Sequence, residues 1–279
     1  MLLLVDLDGV VYRGADPVPG VAAVLADRAS RGDDVVYVTN NSMFYRTAYV
    51  TRLAALGAPV SVERVVTSAR ATALWIQKHR PSIRRVLVVG AGGLEREMRD
   101  IGLEVVSAAH AATRLTQEDI DGWAAAGEPD AVVTGLDPQL TYARIAVAAD
   151  CIRAGAMFIA TNRDATYPSE RGLRPGAGSI VSAIEVAAGV APAVEIGKPG
   201  PLLLEEAARA VGSATVDAVM IGDALTDVAA GRAVGARTVL ILTGVTTPER
   251  LAAVPAAERP TAVAADAAEL REVLERFAG

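Results

Sequence analysis

The sequence lacks the residues that several common kinds of site require. Cys151 is the only cysteine among 279 residues, so an intramolecular disulfide is impossible and a cytoplasmic location is the default expectation. The two histidines, His79 and His110, do not occur in a metal-ligand pattern, so a structural zinc site is not expected.

Long apolar runs and excess positive charge are also missing. No stretch reaches the 18 uninterrupted apolar residues that predict a transmembrane helix, and no basic, apolar leader precedes Asp6. The net charge of -6 and the pI near 5.1 argue against a nucleic-acid partner. Neither a membrane nor a nucleic acid is therefore expected as a partner.

Lysine and asparagine are scarce, so their positions are informative. Lys78 and Lys198 are the only lysines beside 25 arginines, and asparagine occurs only as Asn40, Asn41 and Asn162. In a chain that prefers arginine, a surface cation would more often be arginine than lysine. Where these rare residues occur, a chemical reason is worth seeking.

Apolar runs alternate with helix-like, alanine-rich segments, and 52% of the residues are hydrophobic. The predicted strands are Leu2–Val5, Val35–Val38, Val86–Val89, Ala131–Thr134, Met157–Ala160, Ala218–Ile221 and Thr238–Leu242. The predicted helices are Val21–Ser30, Thr47–Leu56, Ala69–Lys78, Tyr142–Ala154, Pro201–Val211 and Ala264–Phe277. This alternation predicts an α/β fold with a Rossmann-like parallel sheet, in which ligands bind at the carboxyl ends of strands.

The first predicted strand ends in two carboxylates. Asp6 and Asp8 are two residues apart, a spacing that places side chains on one face of a strand. Like charges at this distance repel each other, and burying an unpaired charge costs several kcal/mol. A compensating positive charge must therefore lie nearby.

The next predicted strand ends in Thr39, Asn40, Asn41 and Ser42. Hydroxyl, amide and backbone N–H groups at a strand end can cradle an anion. The same residue types also cap helices, and capping is their commoner role. Both interpretations stay open for this segment taken alone.

Two later strands also end in charged residues. Lys198 follows a short strand and precedes a helix that begins near Pro199–Pro201, and Asp223 and Asp227 follow the strand that ends at Ile221. If the helix begins near Asp223, the two carboxylates lie on adjacent turns of one helix face. A surface lysine and a capping aspartate are the alternatives.

Together these four segments predict one site. Each places polar groups just after an apolar strand, so all should converge at one edge of the sheet. Clustered carboxylates of this kind usually hold a hard divalent cation, and Mg²⁺ fits a site that also binds phosphate.

Taken in order, DLDGV, TNN, GKP and GDALTD resemble the four motifs of the haloacid dehalogenase superfamily of phosphatases. The resemblance implies that Asp6 is a nucleophile that forms an aspartyl-phosphate. It implies that Asp8 protonates the leaving oxygen and then activates water, and that Lys198 steadies the nucleophile and the transferring group.

The same resemblance assigns the remaining motif residues. Thr39, Asn40 and Asn41 would bind the phosphorylated substrate. Asp6, the Asp8 carbonyl and Asp223 would bind Mg²⁺, with Asp227 in the outer coordination sphere. The spacing of Asp223 and Asp227 is one residue shorter than in many relatives of this subfamily, which leaves open whether Asp227 ligates the metal directly.

The long stretch between Asn41 and Lys198 resembles the large α/β cap of the p-nitrophenyl phosphatase and phosphoglycolate phosphatase subfamily. The expected division is a core of residues 1–79 and 193–279 with a cap of residues 80–192. In the family, the loop that here contains Asn162, Asp164 and Tyr167 faces the active site, so these residues are predicted to contact substrate. A turn is the alternative, because Asn, Asp and Pro are turn formers.

Two other kinds of site, a dinucleotide-binding site and a cysteine-phosphatase site, match the sequence less well. VLVVGAGGLE resembles a dinucleotide-binding fingerprint, but Glu95 stands where the third glycine should be, so a βα turn of the cap is preferred. A cysteine-phosphatase loop would need arginine six positions after Cys151, where Met157 stands.

The leading hypothesis is an Mg²⁺-dependent phosphomonoesterase acting on a small phosphorylated metabolite. The candidate substrates are 2-phosphoglycolate, glycerol phosphates, nucleoside monophosphates and sugar phosphates, with p-nitrophenyl phosphate as a substrate in vitro. The alternative is a non-catalytic, phosphoester-binding regulatory protein on the same scaffold. A homodimer through the cap is a further hypothesis.

Overall fold

The computed structural model describes residues 1–114, 129–169 and 172–279. The strands are β1 (Leu2–Val5), β2 (Tyr12–Arg13), β3 (Asp16–Pro17), β4 (Asp34–Thr39), β5 (Val65–Thr67), β6 (Arg85–Val89), β7 (Glu104–Ser107), β8 (Ala131–Thr134), β9 (Met157–Ala160), β10 (Thr166–Ser169), β11 (Gly172–Pro175), β12 (Val194–Glu195), β13 (Ala218–Gly222), β14 (Arg237–Ile241) and β15 (Ala262–Ala264). The helices are α1 (Val21–Ser30), α2 (Arg46–Ala55), α3 (Ser68–His79), α4 (Gly92–Asp100), α5 (Ala108–Arg114), α6 (Tyr142–Arg153), α7 (Ala177–Ala188), α8 (Leu202–Ala210), α9 (Leu225–Ala233), α10 (Pro248–Ala252) and α11 (Ala267–Ala278).

The chain forms two compact units. The first unit comprises Met1–Thr39, Arg46–Thr67 and Lys198–Gly279, and the second comprises Asn40–Tyr45 and Ser68–Gly197. The second unit thus includes α3 and the segment after β4, which the sequence-based division at residues 80 and 192 assigned to the core. Residues 115–128 of the predicted cap, and Glu170 and Arg171 of its loop, lie outside the described residues.

The first unit is built on a parallel sheet of six strands in the order β15-β14-β13-β1-β4-β5. Strand β1 is central, and Leu3 pairs with Val219 on one side and Val35 on the other. All four residues of Leu2–Val5 are buried, as expected for a central parallel strand with helices on both faces. Burying each such aliphatic side chain contributes about 1.5–3 kcal/mol, so this run anchors the sheet.

The second unit has its own parallel sheet of five strands in the order β12-β9-β8-β6-β7. Its core includes Leu87, Val132 and Phe158, which are buried between the sheet and its helices. Strands β10 and β11 form a separate antiparallel hairpin in which Tyr167 pairs with Arg174. Both sheets confirm the predicted α/β class.

Most predicted elements are present, with shifts of one or two residues at their ends. The C-terminal prediction needs a correction, because its first residue, Ala264, is the last residue of β15 and the helix begins only at Ala267. Asp266 starts this helix by accepting hydrogen bonds from Ala268 N at 2.8 Å and Glu269 N at 3.1 Å. The short strand expected before Lys198 is β12. The strands that were not predicted are each only two to four residues long: β2, β3, β5, β7, β10, β11 and β15.

Within the described part of the chain, the helices are too short or too polar to cross a membrane.

Candidate active site

Three neighbouring strands of the first sheet end in the predicted site residues. Asp6 follows β1, Thr39 is the last residue of β4, and Asp223 follows β13. Because β13, β1 and β4 are adjacent and parallel, their carboxyl ends meet at one edge. Asp6 continues the ladder there, since its N–H donates to Ile221 O at 2.9 Å.

The pair Asp6 and Asp8 is oriented differently from the sequence prediction. Strand β1 ends at Val5, so both aspartates lie in the loop after the strand, and strand alternation does not align them. Asp8 is instead held by a bridge to Tyr12, in which Gly9 N donates to Tyr12 O at 2.7 Å. A tight turn, and not the strand pleat, therefore positions Asp8.

The strand that precedes Lys198 in the chain is not part of the first sheet. It follows β12, which belongs to the sheet of the second unit, so the prediction that all four segments leave one sheet was wrong for this residue. Lys198 itself belongs to the first unit, and its Nζ lies 2.5 Å from Asp6 Oδ1 and 2.6 Å from Asp227 Oδ1. Its side chain is buried, so these two ion pairs are well shielded from water.

The second pair of aspartates also departs from the prediction. Helix α9 begins at Leu225, so Asp223 precedes the helix and the two aspartates do not share a helix face. Asp227 lies in the first turn, and its Oδ2 accepts a hydrogen bond from Ala224 N at 3.0 Å. With Oδ1 held by Lys198, both oxygens of Asp227 already have protein partners.

Asp6, Asp223 and Asp227 form a carboxylate cluster whose oxygens all lie within 4.8 Å of one another. All three are buried, and among the described residues the one cation that forms ion pairs in the cluster is Lys198, which contacts Asp6 and Asp227. Three hard oxygen ligands with a net negative charge are a donor set that suits a divalent cation such as Mg²⁺ or Ca²⁺. The residues present therefore fit a metal ion.

The electrostatics of the cluster reflect this imbalance of charge. Burial raises the pKa of Asp6, and the nearby Lys198 only partly opposes that effect. Burial and then the charge of Asp227 raise the pKa of Asp223 to about 6. Burial alone would lower the pKa of Lys198, but the carboxylates of Asp227 and Asp6 outweigh it and leave that pKa raised. Lys198 is therefore a cation at neutral pH.

Asp8 has a neighbour that the sequence did not indicate. Burial raises the pKa of Asp8, and the positive charge of Arg52 is the largest influence opposing it. Arg52 lies on α2, with its guanidinium carbon 3.3 Å from the centre of the Tyr12 ring, and it donates a hydrogen bond to Gly14 O. Arg52 thus braces the short β2–β3 hairpin that follows Asp8.

The loop after β14 was also missed. Val245 N donates to Asp223 Oδ2 at 2.6 Å, and Thr243 Oγ1 donates to Gly9 O at 2.6 Å. The sequence contained the same signal as at the other strands, a polar residue directly after an apolar run. Its residues, Thr243 and Gly244, are uncharged, so they did not stand out.

The remaining predicted residues lie in the second unit. Asn40 Nδ2 donates to Asp164 Oδ2 at 3.0 Å, and Asn162 Nδ2 donates to Asn40 O at 2.8 Å. Asn41 Oδ1 accepts from Met43 N at 2.9 Å, which forms a local turn. Helix α2 begins only at Arg46, so the helix-cap interpretation of the Thr39–Ser42 segment is wrong.

Tyr167 lies on β10, where it is half-buried and packs against the core of the second unit. Asn162 is buried, and Asp164 N donates to its Oδ1 at 3.1 Å. The turn interpretation of this loop therefore has direct hydrogen-bond support. The VLVVGAGGLE stretch forms β6 and the start of α4, as the preferred βα-turn interpretation predicted.

The chain is similar to known hydrolases. A family model described as haloacid dehalogenase-like hydrolase matches residues 3–104, and a second HAD-hydrolase-like model matches residues 195–270. An acid sugar phosphatase of Staphylococcus aureus is 36% identical over 247 residues, covering 88% of each chain.

Solved structures resemble the whole chain. A p-nitrophenyl phosphatase from Archaeoglobus fulgidus superimposes with a TM-score of 0.84 at 30% identity, covering 98% of each chain. A glycerol phosphate phosphatase from Mycobacterium tuberculosis in complex with calcium has a TM-score of 0.80 at 36% identity, covering 96% of this chain and 74% of that one. The latter protein was also solved in complex with magnesium.

Proposed function

The chain belongs to the haloacid dehalogenase-like hydrolases, and from that premise we propose that it is a metal-dependent phosphatase of small phosphorylated metabolites. The observation that carries the proposal is the contact between Lys198 and Asp6, whose atoms lie 2.5 Å apart beside two further buried carboxylates. A protein that only binds phosphate would have little need for a lysine-paired carboxylate in an electronegative cluster.

We propose that Asp6 is the nucleophile. One of its oxygens attacks phosphorus, the ester P–O bond breaks, and Asp8 gives its proton to the leaving oxygen. The raised pKa of Asp8 supports this role, because a buried carboxyl group holds a proton more readily. Asp8 then takes a proton from water, which attacks phosphorus and breaks the bond to Asp6, releasing phosphate.

Lys198 would serve both carboxylates that it contacts. Its ammonium pairs with Asp6 before the reaction, and it can offset negative charge on the phosphoryl group as the transfer proceeds. Asp227 keeps the ammonium in place through the contact at 2.6 Å. Thr39 would supply hydrogen bonds to the phosphoryl oxygens, together with Asn40, which follows it in the chain, and Asn41 beyond it.

Asp6, Asp223 and the carbonyl of Asp8 would hold Mg²⁺, which when bound would neutralise charge on the phosphoryl oxygens. The complexes of the glycerol phosphate phosphatase with calcium and magnesium support a divalent cation. Because both oxygens of Asp227 have protein partners, we assign Asp227 to the outer coordination sphere.

The second unit would act as a cap that selects the leaving group. Asn162 is buried and its amide is engaged with Asn40 and Asp164, so we propose that Asn162 and Asp164 shape the loop. Tyr167 is half-buried and is the better candidate for direct contact with substrate. Among the candidate substrates, sugar phosphates and glycerol phosphate are favoured by the names of the relatives that are 36% identical.

The test is a hydrolysis assay of the purified protein on p-nitrophenyl phosphate and on a panel of sugar phosphates, glycerol phosphates, 2-phosphoglycolate and nucleoside monophosphates. Each assay is run with Mg²⁺ and with excess chelator. We expect turnover that requires Mg²⁺ and favours one class of the panel. Binding of these esters without turnover would instead identify the non-catalytic regulatory protein.

A further inference from the structure

The carboxylate of Asp223 lies in a narrow slot between two glycines. A Cβ placed on Gly9 would lie 2.3 Å from Asp223 Oδ2, and one on Gly244 would lie 1.8 Å from the same oxygen. Real Cβ atoms essentially never come within 3.0 Å of another heavy atom. Both walls of the slot must therefore be bare backbone.

Gly244 is needed for space and not for its backbone conformation. Gly9 has a φ of 81°, which itself favours glycine, but Gly244 is not among the residues with positive φ. Alanine at position 244 would therefore be acceptable to the backbone. The three heavy atoms nearest to the added methyl group would all belong to the side chain of Asp223, at 1.8–2.6 Å.

The segment Thr243–Thr246 also forms hydrogen bonds to Asp223 and to Gly9. Val245 N donates to Asp223 Oδ2 at 2.6 Å, and Thr246 N donates to Asp223 O at 3.2 Å. Thr243 Oγ1 donates to Gly9 O at 2.6 Å, which ties one wall of the slot to the other. One short loop thus holds the side chain of Asp223, its backbone and the opposite wall.

We propose that Thr243–Thr246 is a further segment of the active site, whose residues position Asp223 for binding the metal ion. This inference rests on the proposed function, in which Asp223 is a metal ligand. A carboxylate held in one orientation need not be ordered when the metal binds, so the affinity for metal is higher than for a mobile side chain. The four family-like motifs do not include this loop.

The experiment measures binding of Mg²⁺ alone, by titration calorimetry on the full chain without substrate. Removing a partner that orients a metal ligand typically lowers metal affinity about 10- to 100-fold, and we expect a loss in that range for Gly244→Ala and for Thr243→Val. Two matched variants should bind Mg²⁺ like the wild type. Thr243→Ser keeps the hydroxyl, and Gly92→Ala adds a methyl group where no heavy atom lies within 4 Å.

The outcomes separate the two proposals. Wild-type affinity in both Gly244→Ala and Thr243→Val, beside a deficient Asp223→Ala, would overturn this inference and leave the proposed function standing. Equal losses in Thr243→Val and Thr243→Ser would also overturn it, because the hydroxyl would then be irrelevant. A wild-type protein that neither binds Mg²⁺ nor hydrolyses any ester would overturn the proposed function and this inference together.

Discussion

The two parallel sheets of this chain are built alike but end differently. In the first unit, the strand ends carry Asp6 and Asp223, which cluster with Asp227, and within the described residues Lys198 pairs with Asp6 and Asp227 but not with Asp223. In the second unit, Asp137 follows β8 and is matched by Arg144, whose Nη1 lies 2.8 Å and 2.7 Å from its two oxygens.

The difference teaches that burial alone does not mark a reactive site. Asp137 is 5% exposed and Asp223 is 4% exposed, so both carboxylates are equally removed from water. Asp137 has a charged partner in Arg144, whose Nη1 contacts both of its carboxylate oxygens. Asp223 forms no ion pair with any residue that the structure describes, and burial and the charge of Asp227 raise its pKa to about 6. An uncompensated negative charge is what favours binding of a metal cation, whose positive charge can in turn attract a phosphate.

The largest effect should come from the nucleophile. We expect Asp6→Asn to lower kcat by at least about a thousandfold, because the amide cannot form the covalent intermediate. The shape of the side chain is kept, so the far-UV circular dichroism should match the wild type. Retention of even a tenth of the wild-type kcat would show that Asp6 is not the nucleophile.

Substitution of a metal ligand should have the second largest effect on activity. We expect Asp223→Ala to raise the Mg²⁺ concentration for half-maximal activity by more than about 100-fold, since even partners behind a ligand cost 10- to 100-fold. Asp227→Ala should have the smaller effect, because its oxygens contact Lys198 and Ala224 N. An equal loss in both variants would mean that Asp227 ligates the metal directly.

Breaking the ion pair between Asp137 and Arg144 in the second unit should reduce stability and leave catalysis unchanged. We expect Asp137→Asn to lower the free energy of unfolding by about 3 kcal/mol, because it leaves the mostly buried Arg144 without its counter-charge. Urea unfolding measures this loss. The kcat of the folded fraction should stay at the wild-type value. A loss of kcat with unchanged stability would show that Asp137 acts in catalysis and that the two sheets do not differ in this way.

A substitution at Tyr167 in the second unit should change substrate specificity. We expect Tyr167→Ala to change kcat/KM by about tenfold between substrates of the panel, with a smaller change for p-nitrophenyl phosphate. Tyr167→Phe keeps the ring and separates stacking from hydrogen bonding. Tyr142→Ala, on the same unit and 85% exposed, serves as the control. A uniform fall for every substrate after Tyr167→Ala would assign Tyr167 to stability or catalysis.

The smallest expected effect is a dependence of stability on pH in the metal-free protein. The pKa of Asp223 is about 6 in the folded chain and 3.8 in its ordinary state, so the folded protein holds this proton more tightly. The protonated carboxyl group of Asp223 therefore stabilises the folded state at low pH, and this contribution is lost as the pH rises through 6. The free energy of unfolding should fall by roughly 1 kcal/mol between pH 5 and pH 7. Urea unfolding at both values measures it, with Asp223→Asn as the control. A loss of the same size in the control would assign the effect to other groups.

The fold class, and the position of several candidate site residues at strand ends, followed from the sequence alone. Apolar runs such as Leu2–Val5 favour buried parallel strands, because only a strand covered on both faces removes every such side chain from water. The polar residues that end those runs, such as Asp6, Thr39 and Asp223, then collect at one edge whatever the order of the strands. Local patterns of this kind need no knowledge of distant parts of the chain.

Only the tertiary structure decided how the remaining groups meet. Lys198 follows a strand of the second sheet in the chain and yet contacts Asp6, and Thr243 Oγ1 donates to Gly9 O across 234 positions of sequence. Such contacts depend on which strands become neighbours, here β14 beside β13 and β13 beside β1. That order is chosen by the packing of all the strands and helices together, and no local run of residues encodes it. The sequence by itself thus determined which chemical groups are available, and the packing of the sheet decided which of them touch Asp223.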